Sequence, residues 1–354
     1  MSNVARYLFA SAFLGIVSVL PPVIQLANAC SRAVFLGDDG AVITGRTMDW
    51  KVDVGTNLWI LPRGVHHTGE ANPRSLGWTS KYGSVIATGY EAATTDGMNE
   101  KGLVANALWL VESKYPDASS SKPTLPLSIW AQYMLDNFAT VQEAVDALQK
   151  ESFAVWTTKV PGEETLATLH FSLSDATGDS AIVEYVNGHQ VIHHDRKFQV
   201  MTNSPLFEEQ LALQQYWKQI GGTTFLPGAN RAADRFARAS FYINAIPRTE
   251  APDVEVASVF SVMRNVSVPY GITTPGEPNI SSTRWRTVAD QKRKVYLFES
   301  ALTPNTFWVN FQDVDFSPTG KVKRLDLGRN QSNTYAGNVA KDFKEAPLFK
   351  FLGY

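Results

Sequence analysis

From Cys30 onward the chain alternates between short apolar runs closed by Gly-containing turns and longer stretches whose apolar residues recur every three to four positions. The first rhythm predicts strands and the second helices. In "SRAVFLGDDGAVITGRTMDW" two apolar stretches flank Asp39-Gly40, so a hairpin is expected directly after Cys30. "NLWILP" and "YGSVIATGYEAATTDGMNEKGLVANALWLV" read as further strands. "PLSIWAQYMLDNFATVQEAVDALQKE" reads as helical. Within it Val141, Ala144, Val145 and Leu148 fall on one face, and Thr140 with Glu143 fits a capping box. A second strand block, "ATLHFSLSDATGDSAIVEYVNGHQVIHH", turns at Gly178-Asp179 and Asn187-Gly188. "FQVMTN" is a short strand, and "SPLFEEQLALQQYWKQI" a helix with Ser204 as N-cap and Pro205 in first position. Helices are expected at about 230–246 and over "DVEVASVFSVMRNV", and "TRWRTVADQKRKVYLFES" and "NTFWVNFQDVDF" close with strands. Strand blocks alternating with helix pairs predict one α+β domain of two packed sheets with helices outside.

The segment before Cys30 is different. Arg6 is its sole charge, and the apolar run "YLFASAFLGIVSVL" falls short of the roughly 20 residues a membrane span needs. Pro21 and Pro22 break it, and it ends in "ANA", the small-x-small pattern a signal peptidase cuts after. The expectation is a secretory signal over residues 1–29, cleaved after Ala29. A single domain of residues 30–354 then begins with Cys30, is exported to the periplasm and has no membrane attachment. A buried N-terminal helix and a lipoprotein anchor are the alternatives. A lipobox, however, wants leucine three residues before the cysteine, where Ala27 stands, with Leu26 one place too far.

Composition removes other classes. A net charge of -2 leaves no basic footprint for nucleic acid. One cysteine excludes an internal disulfide and a thiolate zinc cluster. The pairs His66-His67 and His193-His194 lack the spacing that puts two ligands on one helical face, and no phosphate or dinucleotide loop occurs. Neither metal nor cofactor is expected.

Cys30 by itself reads as a buried structural thiol. Its place at a cleavage site changes that. A thiol loses its proton near pH 8.5 and a free α-amine near 7.7–8, so a new N-terminal cysteine carries nucleophile and base in one residue. That pairing suits attack on an amide carbonyl, given an oxyanion hole and groups that orient the amine.

"CSR", with "RTMDW" starting sixteen residues after the cysteine, resembles the first motif of the choloylglycine hydrolase family, which includes penicillin V acylases and conjugated bile salt hydrolases. "DGMNEKGL", "MTNSPLF" and "LPGANRAADRFARASF" resemble later motifs, in the family's order. The resemblance implies an αββα four-layer sandwich, a homotetramer and hydrolysis of a small-molecule linear amide through a Cys30 thioester. Arg46 then favours the thiolate, Asp49 holds the amine, Asn203 donates to the oxyanion, and Arg235 stabilises the site. Read singly, these residues have ordinary alternatives: a surface ion pair for Arg46 and Asp49, a turn or cap for Asn203, and a solvated stripe for Arg231, Arg235 and Arg238. Where Gram-positive members often carry an asparagine this chain has Trp109, so a backbone N–H nearby is left to serve the oxyanion. Trp109 and Trp50 would wall an apolar pocket unless both belong to the core. This pattern resembles the Gram-negative branch, whose members act on penicillin V and long-chain acyl-homoserine lactones. Bile salt hydrolysis is the enzymatic alternative, and a noncatalytic periplasmic lipoprotein the alternative of another class.

Overall fold

The computed structural model describes residues 30–67, 74–117, 121–221, 224–249, 251–272 and 281–353; the expected signal at 1–29 lies outside them. Two large sheets organise the described residues. The expected hairpin after Cys30 pairs β1 (Ser31–Leu36) with β2 (Val42–Trp50) at the heart of a seven-stranded sheet. Val200–Met201 lies beyond β1, and Ser282–Asp290, Val295–Ser300, Thr306–Asn310 and Gly337–Asn338 follow beyond β2. The second sheet has nine strands, all antiparallel, in the order His189–His194, Ser180–Val186, Leu169–Ser174, Val104–Trp109, Ala93–Asn99, Ser84–Gly89, Leu58–Leu61, Lys323–Leu325 and Lys344–Glu345. At its Asn187-Gly188 turn both residues have positive φ, 51° and 84°, the conformation a two-residue hairpin requires.

Side-chain alternation explains how the layers stack. In the second sheet Val85, Ala87, Val104, Leu108 and Ile182 join a core shared with Phe35, Ile43, Trp285, Val288 and Phe298 of the first. The opposite parity, Ile86, Ala105, Ala181 and Val183, joins a second core with Ile129, Trp130 and Met134 of α1 (Leu127–Asn137) and Val141 and Val145 of α2 (Val141–Leu148). Both faces are covered, so these strands are apolar in both parities. On the outer face of the first sheet lie α4 (Ala232–Ala245) and α5 (Pro252–Asn265), with α3 (Phe207–Ile220) against α4. A Cβ at Gly45 in β2 would meet the Met263 side chain of α5 at 2.6 Å, so only glycine permits this approach. The result is the four-layer αββα sandwich, with two antiparallel-dominated sheets inside.

The helical stretch 126–151 is two helices, broken before Thr140, whose Oγ1 accepts from the Glu143 N–H at 3.2 Å. Glu143 accepts in return from the Ala139 N–H, and the expected face of α2 is buried. One cap differs from expectation. Ser204 does not cap α3, because the chain bends over 203–205 and the helix opens only at Phe207, with Leu206 in the N-cap position. The Phe207 N–H donates instead to the Glu184 carboxylate, at 3.1 and 3.2 Å, and Ser204 Oγ donates to Glu112.

Candidate active site

Cys30 immediately precedes β1 and is 3% exposed. Strand alternation in β2 sorts the "RTMDW" motif. Arg46, Met48 and Trp50 turn to a cavity that Cys30 also lines, while Thr47 and Asp49 take the other parity. Thr47 Oγ1 accepts the Ser31 N–H and donates to Asp49 Oδ2, at 3.0 and 3.1 Å. Thr283 Oγ1, from the neighbouring strand, donates to Asp49 Oδ1. Burial pushes Asp49 up to about 6, although Arg235, the two threonines and Arg46 all favour its anion.

Arg235 ties the constellation together. Its Nη1 donates to the Cys30 carbonyl oxygen and to Ser31 Oγ, both at 2.6 Å, and its Nη2 donates to Asn203 Oδ1 at 2.8 Å. The other two arginines of the stripe do not reach the site: Arg231 precedes the first turn of α4 and is exposed, and Arg238 donates to the carbonyls of Pro227 and Ala229. Asn203, oriented by Arg235, donates through Nδ2 to the Trp109 carbonyl at 2.7 Å. Trp109 therefore faces Asn203 with its carbonyl, and among the described residues the Asn203 amide nitrogen makes no second donation.

Arg46 is 1% exposed, with Nη2 donating to the Ala107 carbonyl at 3.1 Å and its guanidinium 4.6 Å over the Trp285 ring. Among the described residues its Nε and Nη1 find no acceptor. Burial pushes the Cys30 thiol up; the Arg46 charge opposes this, Asp49 adds to it, and Arg235 lowers it again. Trp50 and Trp109 are both buried and in mutual contact, ring centroids 5.1 Å apart, and both line the cavity. The structure thus brings all seven sequence-derived site residues to one place.

The chain matches the model of the linear amide C–N hydrolases, choloylglycine hydrolase family, over residues 30–324. It belongs to the choloylglycine hydrolase family. Within the family it is 53% identical to a penicillin V acylase of Pectobacterium atrosepticum over 347 residues, 92% of each chain. The solved penicillin V acylase from Agrobacterium tumefaciens matches with a TM-score of 0.87 and 63% identity, over 92% of this chain and 100% of that one. A bile salt hydrolase/transferase of Clostridium perfringens is 26% identical, over 77% of this chain and 89% of its own length. This choloylglycine hydrolase relative is accordingly an enzyme, a hydrolase of C–N bonds in linear amides, and the noncatalytic alternative falls.

Several lining or supporting residues are not singled out by the sequence. Met48 could have been found by counting in twos from Arg46. Thr283 carries no local signal, since it meets Asp49 only when two strands pair 234 residues apart. Tyr90, in a turn at φ 57°, accepts the Trp50 indole N–H at 2.8 Å and lines the cavity.

Proposed function

We propose that the chain is exported, cut after Ala29, and acts in the periplasm as an N-terminal-cysteine amidase on aryloxyacetyl amides such as penicillin V. Long-chain acyl-homoserine lactones form a second substrate group. The observation that carries the reading is the cavity over Cys30. It holds about 110 Å3 and is walled by Met48, Trp50, Val54, Trp109, Val160 and Leu169. That is of the order of the roughly 150 Å3 apolar cavity that holds a benzene ring. One aromatic ring fits that space, which supports an aryl amide as the substrate.

In this reading the Cys30 sulfur attacks the amide carbonyl, and its proton passes to the freed α-amine. Asp49 holds the resulting ammonium by a charge-assisted hydrogen bond. Arg46 favours the thiolate, and the free N–H of Asn203 donates to the oxyanion, a contribution of about 3–4 kcal/mol in comparable sites. Arg235 fixes the Cys30 carbonyl and the Asn203 amide relative to each other. The amine's proton goes to the leaving nitrogen, a thioester remains, and water releases the acid. The exposed apolar residues on and after α3, Leu213, Tyr216, Ile220 and Phe225, support self-association, which the family resemblance reads as a homotetramer.

The test uses protein beginning at Cys30, assayed against penicillin V, penicillin G, a glycine-conjugated bile salt and acyl-homoserine lactones. Penicillin V is expected to be hydrolysed fastest, and Cys30→Ser or an extra residue before Cys30 to abolish turnover. Undiminished turnover by either variant contradicts the mechanism, and preference for the bile salt contradicts the substrate.

A further inference from the structure

Among the described residues, every one that lines the cavity lies before position 170 except Leu352. It stands well beyond residue 324, where the family match ends. The segment 349–353 that carries it is fastened at several points. The Leu352 N–H donates to the Ala92 carbonyl at 2.8 Å, and Ser128 Oγ at the start of α1 donates to the Leu352 carbonyl at 2.7 Å. Phe351 is buried in the outer core, 4.6 Å from the Phe349 ring, and Phe349 packs on Trp59 at 5.2 Å. Gly353 lies so close to Trp156 that a Cβ there would meet its ring at 3.0 Å.

We propose that this strap is a wall of the acyl pocket and that Leu352 sets the length of acyl group the enzyme accepts. Cys30 enters the cavity from the first sheet. Leu352 lines it from beside the turn that joins Ser84–Gly89 to Ala93–Asn99 of the second sheet, so an acyl group held at the sulfur has the strap among its walls. The backbone bonds at Leu352 do not depend on its side chain, and the residue is only half-buried, so its size can change without undoing the strap. A methylene gained or lost in such a pocket changes selectivity by about tenfold or more. The inference rests on reading the cavity as the acyl site.

Leu352→Ala and Leu352→Trp are compared with the unmodified protein, each beginning at Cys30. Calorimetry measures binding of phenoxyacetate, hexanoate and decanoate, and kcat/KM is measured for one amine acylated with each acid. Leu352→Ala is expected to shift the decanoyl-to-phenoxyacetyl ratio about tenfold towards the longer chain, and Leu352→Trp to shift it the other way. Ratios unchanged in both variants overturn the proposal. If binding ratios shift but no amide is hydrolysed, the wall stands and the amidase reading fails. If hydrolysis persists with unshifted ratios, the amidase reading stands and the wall fails.

Discussion

Asp49 shows what a single residue's surroundings do. Its carboxyl is buried and sits at about 6, with hydroxyl donors from Thr47 and Thr283 and the Arg235 charge stabilising the anion. If the chain is cut after Ala29 as proposed, the freed Cys30 amine adds a cation near Asp49, and an adjacent cation lowers a carboxyl pKa. The acid limb of kcat/KM in the processed enzyme therefore lies below about 6. Thr283→Val removes one donor to the anion, so Asp49 rises and the limb moves to higher pH, while Thr283→Ser leaves it in place. The valine variant also leaves the Val268 N–H without its acceptor, at a stability cost of about 1–3 kcal/mol. A pH–rate profile identical in all three proteins contradicts the assignment. Cys30, Arg46, Asp49, Asn203 and Arg235 were legible because each lies in a local motif. Thr283, Tyr90 and Leu352 were not, because they join the site through strand pairing, a turn and a distant strap.

At the scale of elements, periodicity located the helices and strands but misread one junction. Ser-Pro before an apolar run has the form of a helix start, yet α3 begins at Phe207. Its first N–H is taken by Glu184, 23 residues earlier on another strand, and no pattern near 204 records that partner. Glu184 also faces His170 Nδ1 at 3.2 Å and His193 Nε2 at 3.4 Å, and His170 Nε2 donates to the Thr202 carbonyl, next to Asn203. Burial alone would raise Glu184, but these imidazoles and the Phe207 N–H outweigh it and hold the carboxyl at about 2. That lies below the unfolded value of about 4.3, so the anion's contribution to stability is full above that pH and lost as pH falls through about 2. Glu184→Gln is expected to lose about 3–5 kcal/mol at pH 7. Thermal unfolding followed from pH 6 downward should show the gap to wild type narrowing below about 4. A gap independent of pH contradicts the role given to the anion.

For the whole molecule, sequence pattern alone does not determine which strands share a sheet. Strand patterns predict two sheets but cannot show that residues 43–50 pair with 282–290, because that depends on contacts made only after collapse. What joins the sheets is partly polar. The Arg32 guanidinium, lowered to about 9 by burial, reaches from β1 to the Leu173 carbonyl and Ser180 Oγ of the second sheet. Tyr296 of the first sheet donates its hydroxyl to Asp96 of the second, which also accepts from Asn106 at 2.6 Å. Burial raises Asp96 in spite of the nearby Arg46 charge and these donors. A carboxyl raised on folding binds its proton more tightly in the native state, so its contribution falls as pH climbs from the unfolded value of about 3.9 through the folded one. Tyr296→Phe removes a donor to the anion and raises Asp96 further, so the loss of stability grows with pH. About 1–3 kcal/mol is expected at pH 8 and less at pH 4.5. Denaturant unfolding at the two pH values measures it; equal losses at both would mean that the tyrosine hydroxyl does not stabilise the Asp96 charge between the sheets.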